Sequence, residues 1–122
     1  MDMVNLGFES ITIEELESLG VEGLDTLTFG VIGFDKDTIV DAYNAIESQM
    51  SGLEPTHVLG APFFEATAQC MNNFMVAQRF EDEPELDATI PYVLTLRMRP
   101  TPVRMRLLAT SGTARRYILI QR

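Results

Sequence analysis

Apolar and polar positions change rhythm along the chain, and each change marks an element. In Ile11-Thr12-Ile13-Glu14-Glu15-Leu16-Glu17-Ser18-Leu19-Gly20, a threonine is followed three residues later by a glutamate, and Leu16 and Leu19 come next. A threonine hydroxyl and a glutamate so spaced can satisfy the free amides at a helix start, so this order predicts a short helix capped by Thr12 and Glu15 and ended by Gly20. Residues 28–34 are apolar and β-rich and are bounded by Asp35-Lys36-Asp37, which reads as a strand and a turn. Residues 38–42 are the return strand of that hairpin.

The middle of the chain is broken into short helical pieces by Ser51-Gly52, Glu54-Pro55, Gly60 and Pro62. Over 72–80 the apolar residues Phe74, Met75, Val76, Ala77 and Phe80 have partly helical spacing and predict one longer helix. The remainder reads as three strands, over 88–98, 103–110 and 115–121, with turns at Pro100-Thr101-Pro102 and Ser111-Gly112-Thr113. The order predicts an α+β fold: a five-stranded antiparallel sheet with helices packed on one face, a short N-terminal helical cap, and a cavity between sheet and helices. A chain of 122 residues suits one domain, with residues 1–27 as the cap and 28–122 as the core.

Composition adds boundaries rather than detail. Hydrophobic residues make up 46% and charged residues 22%, as in ordinary globular chains. The net charge of −9 argues against a nucleic-acid partner, because phosphates would be repelled by most of the surface. Seven arginines from Arg97 to Arg122 crowd the last quarter, interleaved with apolar residues in strand order, and read as a solvated sheet face. No secretory signal and no membrane-spanning run is visible. One cysteine allows no internal disulfide, so the cytoplasm is the default location.

Candidate chemistry centres on that cysteine, Cys70, and on Tyr43 and Glu47 upstream of it. A thiol can hold a small acyl group as a thioester, and a phenol and a carboxyl group can hydrogen-bond its far end. Tyr43 and Glu47 are four residues apart, so one helical turn would set both on a single face. Taken singly, a lone cysteine is usually a small buried hydrophobe, a tyrosine a half-buried core residue and a glutamate a solvated helix residue. Their combination points to a bound chromophore.

From Gly30 onward the chain resembles the photoactive yellow protein family, blue-light receptors with the PAS fold. The resembling segments are Phe29-Gly30-Val31-Ile32, Tyr43-Asn44-Ala45-Ile46-Glu47, Ser51-Gly52, Leu59-Gly60-Ala61-Pro62-Phe63-Phe64, Cys70, Met98-Arg99-Pro100-Thr101 and Val103-Arg104. The resemblance implies a p-coumaric acid (4-hydroxycinnamoyl) group in thioester linkage to Cys70. It implies that Tyr43 and Glu47 hydrogen-bond the phenolate, with the Ser51 hydroxyl supporting Tyr43. It also implies a light-driven trans–cis isomerisation with proton transfer from Glu47 and no catalytic turnover; the sequence shows no output domain, so a downstream signalling partner is expected to be a separate protein. Glu47 would be protonated beside a phenolate, since two like charges in low dielectric are costly. The chain departs from the family at Leu53, where an arginine is usual, at Gln69, where proline is usual, and at Leu96, where an aromatic residue is usual; Met98 matches a position linked to thermal recovery. These differences bear on colour and cycle speed more than on attachment.

Other readings are weaker. His57 follows Pro55-Thr56 in a turn-rich stretch, not in the long helix expected of a haem ligand, and lacks the companions of a metal site. Gln69-Cys70-Met71-Asn72 lacks the arginine that follows the cysteine in flavin-binding PAS domains. A Cys70–His57 hydrolase would need a third group to orient the base. The alternative from a different class is a chromophore-free PAS module that binds another small ligand or a protein.

Overall fold

A computed structural model describes residues 7–95 and 100–122. Its elements are α1 (Ile13–Leu24), β1 (Gly30–Phe34), β2 (Val40–Tyr43), α2 (Ala45–Ser51) and α3 (Pro55–Val58). A π-helical turn (Phe63–Thr67) and a 3-10 turn (Gln69–Met71) follow, then α4 (Ala77–Asp82), β3 (Leu86–Leu94), β4 (Thr101–Thr110) and β5 (Thr113–Gln121). The strands form one antiparallel sheet in the order β2-β1-β5-β4-β3, as the α+β reading expects. Leu96 and Met98 lie outside the described residues. The return strand starts at Val40, because Thr38 takes a left-handed turn conformation and the Asp35 carboxylate accepts the amides of Asp37 and Ile39. Pro91 is accommodated because β3 is an edge strand, where a missing amide donor costs no ladder bond.

Alternation along the strands feeds two apolar layers. In β5, Ile118 and Ile120 join a cluster with Ile32, Phe34, Tyr43, Phe63, Phe64, Phe80, Met105 and Leu107 under the helical segment. Tyr117 and Leu119 face the other way and pack with Phe8, Ile11, Leu16, Leu24, Leu27 and Phe29. The N-terminal cap therefore covers the second face of the sheet, and both faces are buried. Its helix begins as expected: the Thr12 side chain accepts from the Glu15 amide at 3.1 Å and the Glu15 carboxylate accepts from the Thr12 amide at 2.9 Å. Gly20 does not end α1 but kinks it, with φ 71°, and one further turn carries Leu24 into the core. Arg106 rivets this segment to the sheet by donating to the carbonyls of Phe8 and Ile11 and to the Asp87 carboxylate.

The longer helix expected over 72–80 is not there. Helix α4 covers Ala77–Asp82, six residues. The Asn73 side-chain oxygen accepts the amides of Met75 and Val76, and this local bonding competes with helix formation. Phe74, read as part of an apolar stripe, is 80% exposed. Val76 and Phe80 deliver the expected packing, Phe80 with its ring edge-on to Phe34.

Candidate functional site

Three elements converge where β2 gives way to α2. Asn44 sits between them as the helix N-cap, fully buried. Its oxygen accepts the amides of Val31 and Glu47, and its amide group donates to the carbonyls of Leu24 and Phe29. Because Asn44 has an extended backbone, Tyr43 ends the strand and only Glu47 lies on the helix. The two residues thus do not share a helical face, contrary to the spacing argument. The strand-to-helix corner nevertheless leaves them close enough for the charge of Glu47 to act on the Tyr43 phenol.

The Tyr43 hydroxyl is 2.6 Å from Ser51 Oγ, which also accepts the amide of Leu53. Burial pushes the Tyr43 pKa up to about 12, while the bond to Ser51 pulls the other way. Glu47 is 1% exposed. It fits against β1 only because residue 30 is glycine, where an added Cβ would stand 2.1 Å from Glu47 Oε1. Arg122, just past β5, donates to both carboxylate oxygens, at 2.8 and 3.2 Å. Burial raises the Glu47 pKa above the usual carboxylate range, and Arg122 opposes that rise.

Cys70 lies on the 3-10 turn, a half-buried free thiol packed on the same apolar cluster that contains Tyr43. Its carbonyl accepts from the Tyr92 hydroxyl at 2.6 Å and from Asn73 Nδ2 at 3.1 Å. Asn73 also donates to the Tyr92 oxygen, so a closed triangle of bonds braces the turn. Leu53 packs against this cluster as well. His57 is exposed in α3. Among the described residues no three His, Cys, Asp or Glu side chains gather as metal ligands, and no helix is long and apolar enough to cross a membrane.

Sequence reading missed Arg122, Tyr92 and Asn73. Arg122 is 75 residues from Glu47 and stood within a cluster read as solvated. Tyr92 carried no signal beyond its place in a strand. Asn73 sat in a stretch read as helix, where an asparagine is itself a hint of a turn.

The five-stranded sheet with its inserted short helices is a PAS fold, the class of small sensory domains. The PAS domain of an HTR-like protein from Haloarcula marismortui superposes with a TM-score of 0.66 at 16% identity, over 89% of this chain and 98% of that one, a likeness of fold alone. A nearer match is the photoactive yellow protein domain of the sensor histidine kinase Ppr from Rhodospirillum centenum, with a TM-score of 0.81 and 29% identity over 89% of this chain and 98% of that domain. The photoactive yellow protein of Rhodothalassium salexigens is 31% identical over 110 residues, 88% of this chain and 87% of the relative. The chain belongs to the photoactive yellow protein family. No family model matches it.

Proposed function

We propose that this protein is a blue-light receptor carrying a 4-hydroxycinnamoyl (p-coumaric acid) group as a thioester on Cys70, with Tyr43, Glu47 and Ser51 at the phenolic end. The observation that supports this most is a half-buried free thiol and a buried phenol on one apolar cluster, with a buried carboxyl close enough to act on that phenol. The residues fit such a group by their chemistry: a nucleophilic sulfur at one end and hydrogen-bond donors for an anionic oxygen at the other. When bound, the group supplies visible absorption, an isomerisable double bond and a weakly acidic phenol.

The chain's own residues have separate tasks. Cys70 Sγ attacks the carbonyl carbon of an activated acid; the C–S bond forms, the activating group leaves with its electron pair, and the thiol proton goes to solvent. Tyr92 and Asn73 hold the backbone of that turn still through the Cys70 carbonyl. Tyr43, oriented by Ser51, donates to the phenolic oxygen in place of the Ser51 contact or alongside it. Glu47, with its pKa raised by burial, holds a proton beside a bound phenolate and gives it up after illumination. Charge-assisted hydrogen bonds are about twice as strong as neutral ones, which lets a buried phenolate persist against desolvation. The signal then passes to a signalling partner; a photoactive yellow protein domain within a sensor histidine kinase supports an output of that kind.

The test is to incubate the purified chain with activated 4-hydroxycinnamate and record intact mass and absorption. A stable visible band that bleaches in blue light and is lost in Cys70→Ala is expected. Absence of both adduct and band would favour the chromophore-free PAS module instead.

A further inference from the structure

Arg122 reaches the buried end of the site from beyond the last strand. Its side chain is only 13% exposed and, with Thr28, Phe29, Gly30 and Ile46, lines a cavity of about 200 Å³. Among the described ion pairs, its partner Glu47 is the one carboxylate that is buried; the others are at least 36% exposed. Each oxygen of Glu47 takes one guanidinium hydrogen. A guanidinium has donors and no acceptor; a carboxylate meets it with two strong acceptors, whereas a protonated carboxyl keeps one strong acceptor and has to turn its hydroxyl hydrogen elsewhere. The geometry is that of a carboxylate.

The ionisable groups whose charges act here are Tyr43 at the end of β2, Glu47 on α2 and Arg122 after β5; β1 contributes the glycine at position 30, and Leu53 next to the site is apolar. One acid and one permanent cation therefore form a buried pair whose charges act on Tyr43, the residue that, on the reading above, also meets a phenolate.

We propose that Arg122 is the built-in counter-ion of the site: it holds Glu47 as a carboxylate while no chromophore is attached, and it receives that carboxylate again when Glu47 passes its proton to a bound phenolate. The second half rests on the proposed photoreceptor function; the first does not. The charges balance in both states. Beside a phenolate, Glu47 keeps its proton and Arg122 cancels the phenolate charge. After transfer, the proton sits on the phenolic oxygen, the negative charge sits on Glu47, and Arg122 cancels that instead; no other bond changes. The carboxylate that forms is thus paired at once, and the pair ties α2 to the end of β5. Arg122 is a positioning residue, acting through Glu47.

The test begins with the chromophore-free protein. The carboxyl stretching band of Glu47, assigned by difference from Glu47→Gln, is followed by infrared spectroscopy across pH. Glu47 should be ionised at neutral pH, Arg122→Gln should move its midpoint upward by about 1–3 pH units, and Arg122→Lys should restore part of the shift. An unmoved midpoint in Arg122→Gln, or a protonated Glu47 at neutral pH in the unaltered protein, would overturn the proposal. Should Arg122→Gln fail to fold, the double variant Glu47→Gln/Arg122→Gln should recover stability, because no buried charge is left unpaired; no recovery counts against the ion pair. Failure of Cys70 to form an adduct would sink the photoreceptor reading and the second half of the proposal, while the titration still decides the first.

Discussion

Gly30 and Glu47 occupy one another's space, and that exchange sets the residue scale of the site. A methyl group at position 30 would meet the carboxylate at 2.1 Å, so Gly30→Ala must push Glu47 off Arg122 or move the strand. A loss of about 1–3 kcal/mol in urea unfolding is expected, as for other overpacked buried positions. In the loaded protein, Glu47→Gln should keep the adduct and shift its band to the red, since a weaker donor stabilises the ground-state phenolate less; an unchanged spectrum would place Glu47 outside the pocket. The raised pKa of Glu47 has a definite sign for stability. The folded state binds this proton more readily than the unfolded chain, so Glu47 contributes most below the ordinary carboxylate pKa, and the contribution is lost as pH rises through the higher folded value. The unfolding free energy of the protein should therefore gain on that of Glu47→Gln as pH falls through that range. Cys70, Tyr43 and Glu47 were nameable from residue type and spacing, and Ser51 only through the family resemblance. Arg122 was not, because nothing local links it to Glu47.

At the scale of elements, legibility follows how local the stabilising contacts are. The start of α1 could be read directly, because the capping box lies within four consecutive residues. Thr12→Ala should cost about 1 kcal/mol, measured by thermal or urea unfolding, with the far end of the helix little changed. Helix α4 was misread because apolar spacing outweighed one asparagine. In the folded chain Asn73 serves the turn that carries Cys70, bonding its carbonyl, the Tyr92 hydroxyl and two amides of its own loop. Tyr92→Phe removes two of the three bonds of that brace and leaves only Asn73 on the Cys70 carbonyl, and it should lower stability by about 1–3 kcal/mol. Amide hydrogen exchange around residues 69–73 should rise with it. Protection unchanged there would show that Asn73 holds the turn without Tyr92.

At the scale of the whole molecule, the sheet is a wall between two packed layers, with the candidate site on one side and the N-terminal segment on the other. Arg106 is a polar tie across that second layer, and it is buried although Asp87, its ion-pair partner, is 60% exposed. Arg106→Met should leave the carbonyls of Phe8 and Ile11 without their donor. It should raise hydrogen exchange and protease sensitivity over residues 8–24 while β1 and β5 stay protected. Uniform loss of protection across the sheet would instead make the segment part of one cooperative unit.

The order of strands and helices, the alternation along the strands and the capped N-terminal helix follow from contacts within a few residues or from periodicity, and the thiol, phenol and carboxyl candidates from residue type together with the family resemblance. Linear sequence carries such information. The kink rather than a stop at Gly20, the exposure of Phe74, the cover on the second face of the sheet and the pairing of Arg122 with Glu47 depend on what lies opposite after folding. Those partners are separated by up to 75 residues or, for Arg106 and the N-terminal segment, by 95 and 98. Side-chain pairing at that distance is decided by strand register and by the space a glycine leaves, and neither is written in any one stretch of the chain.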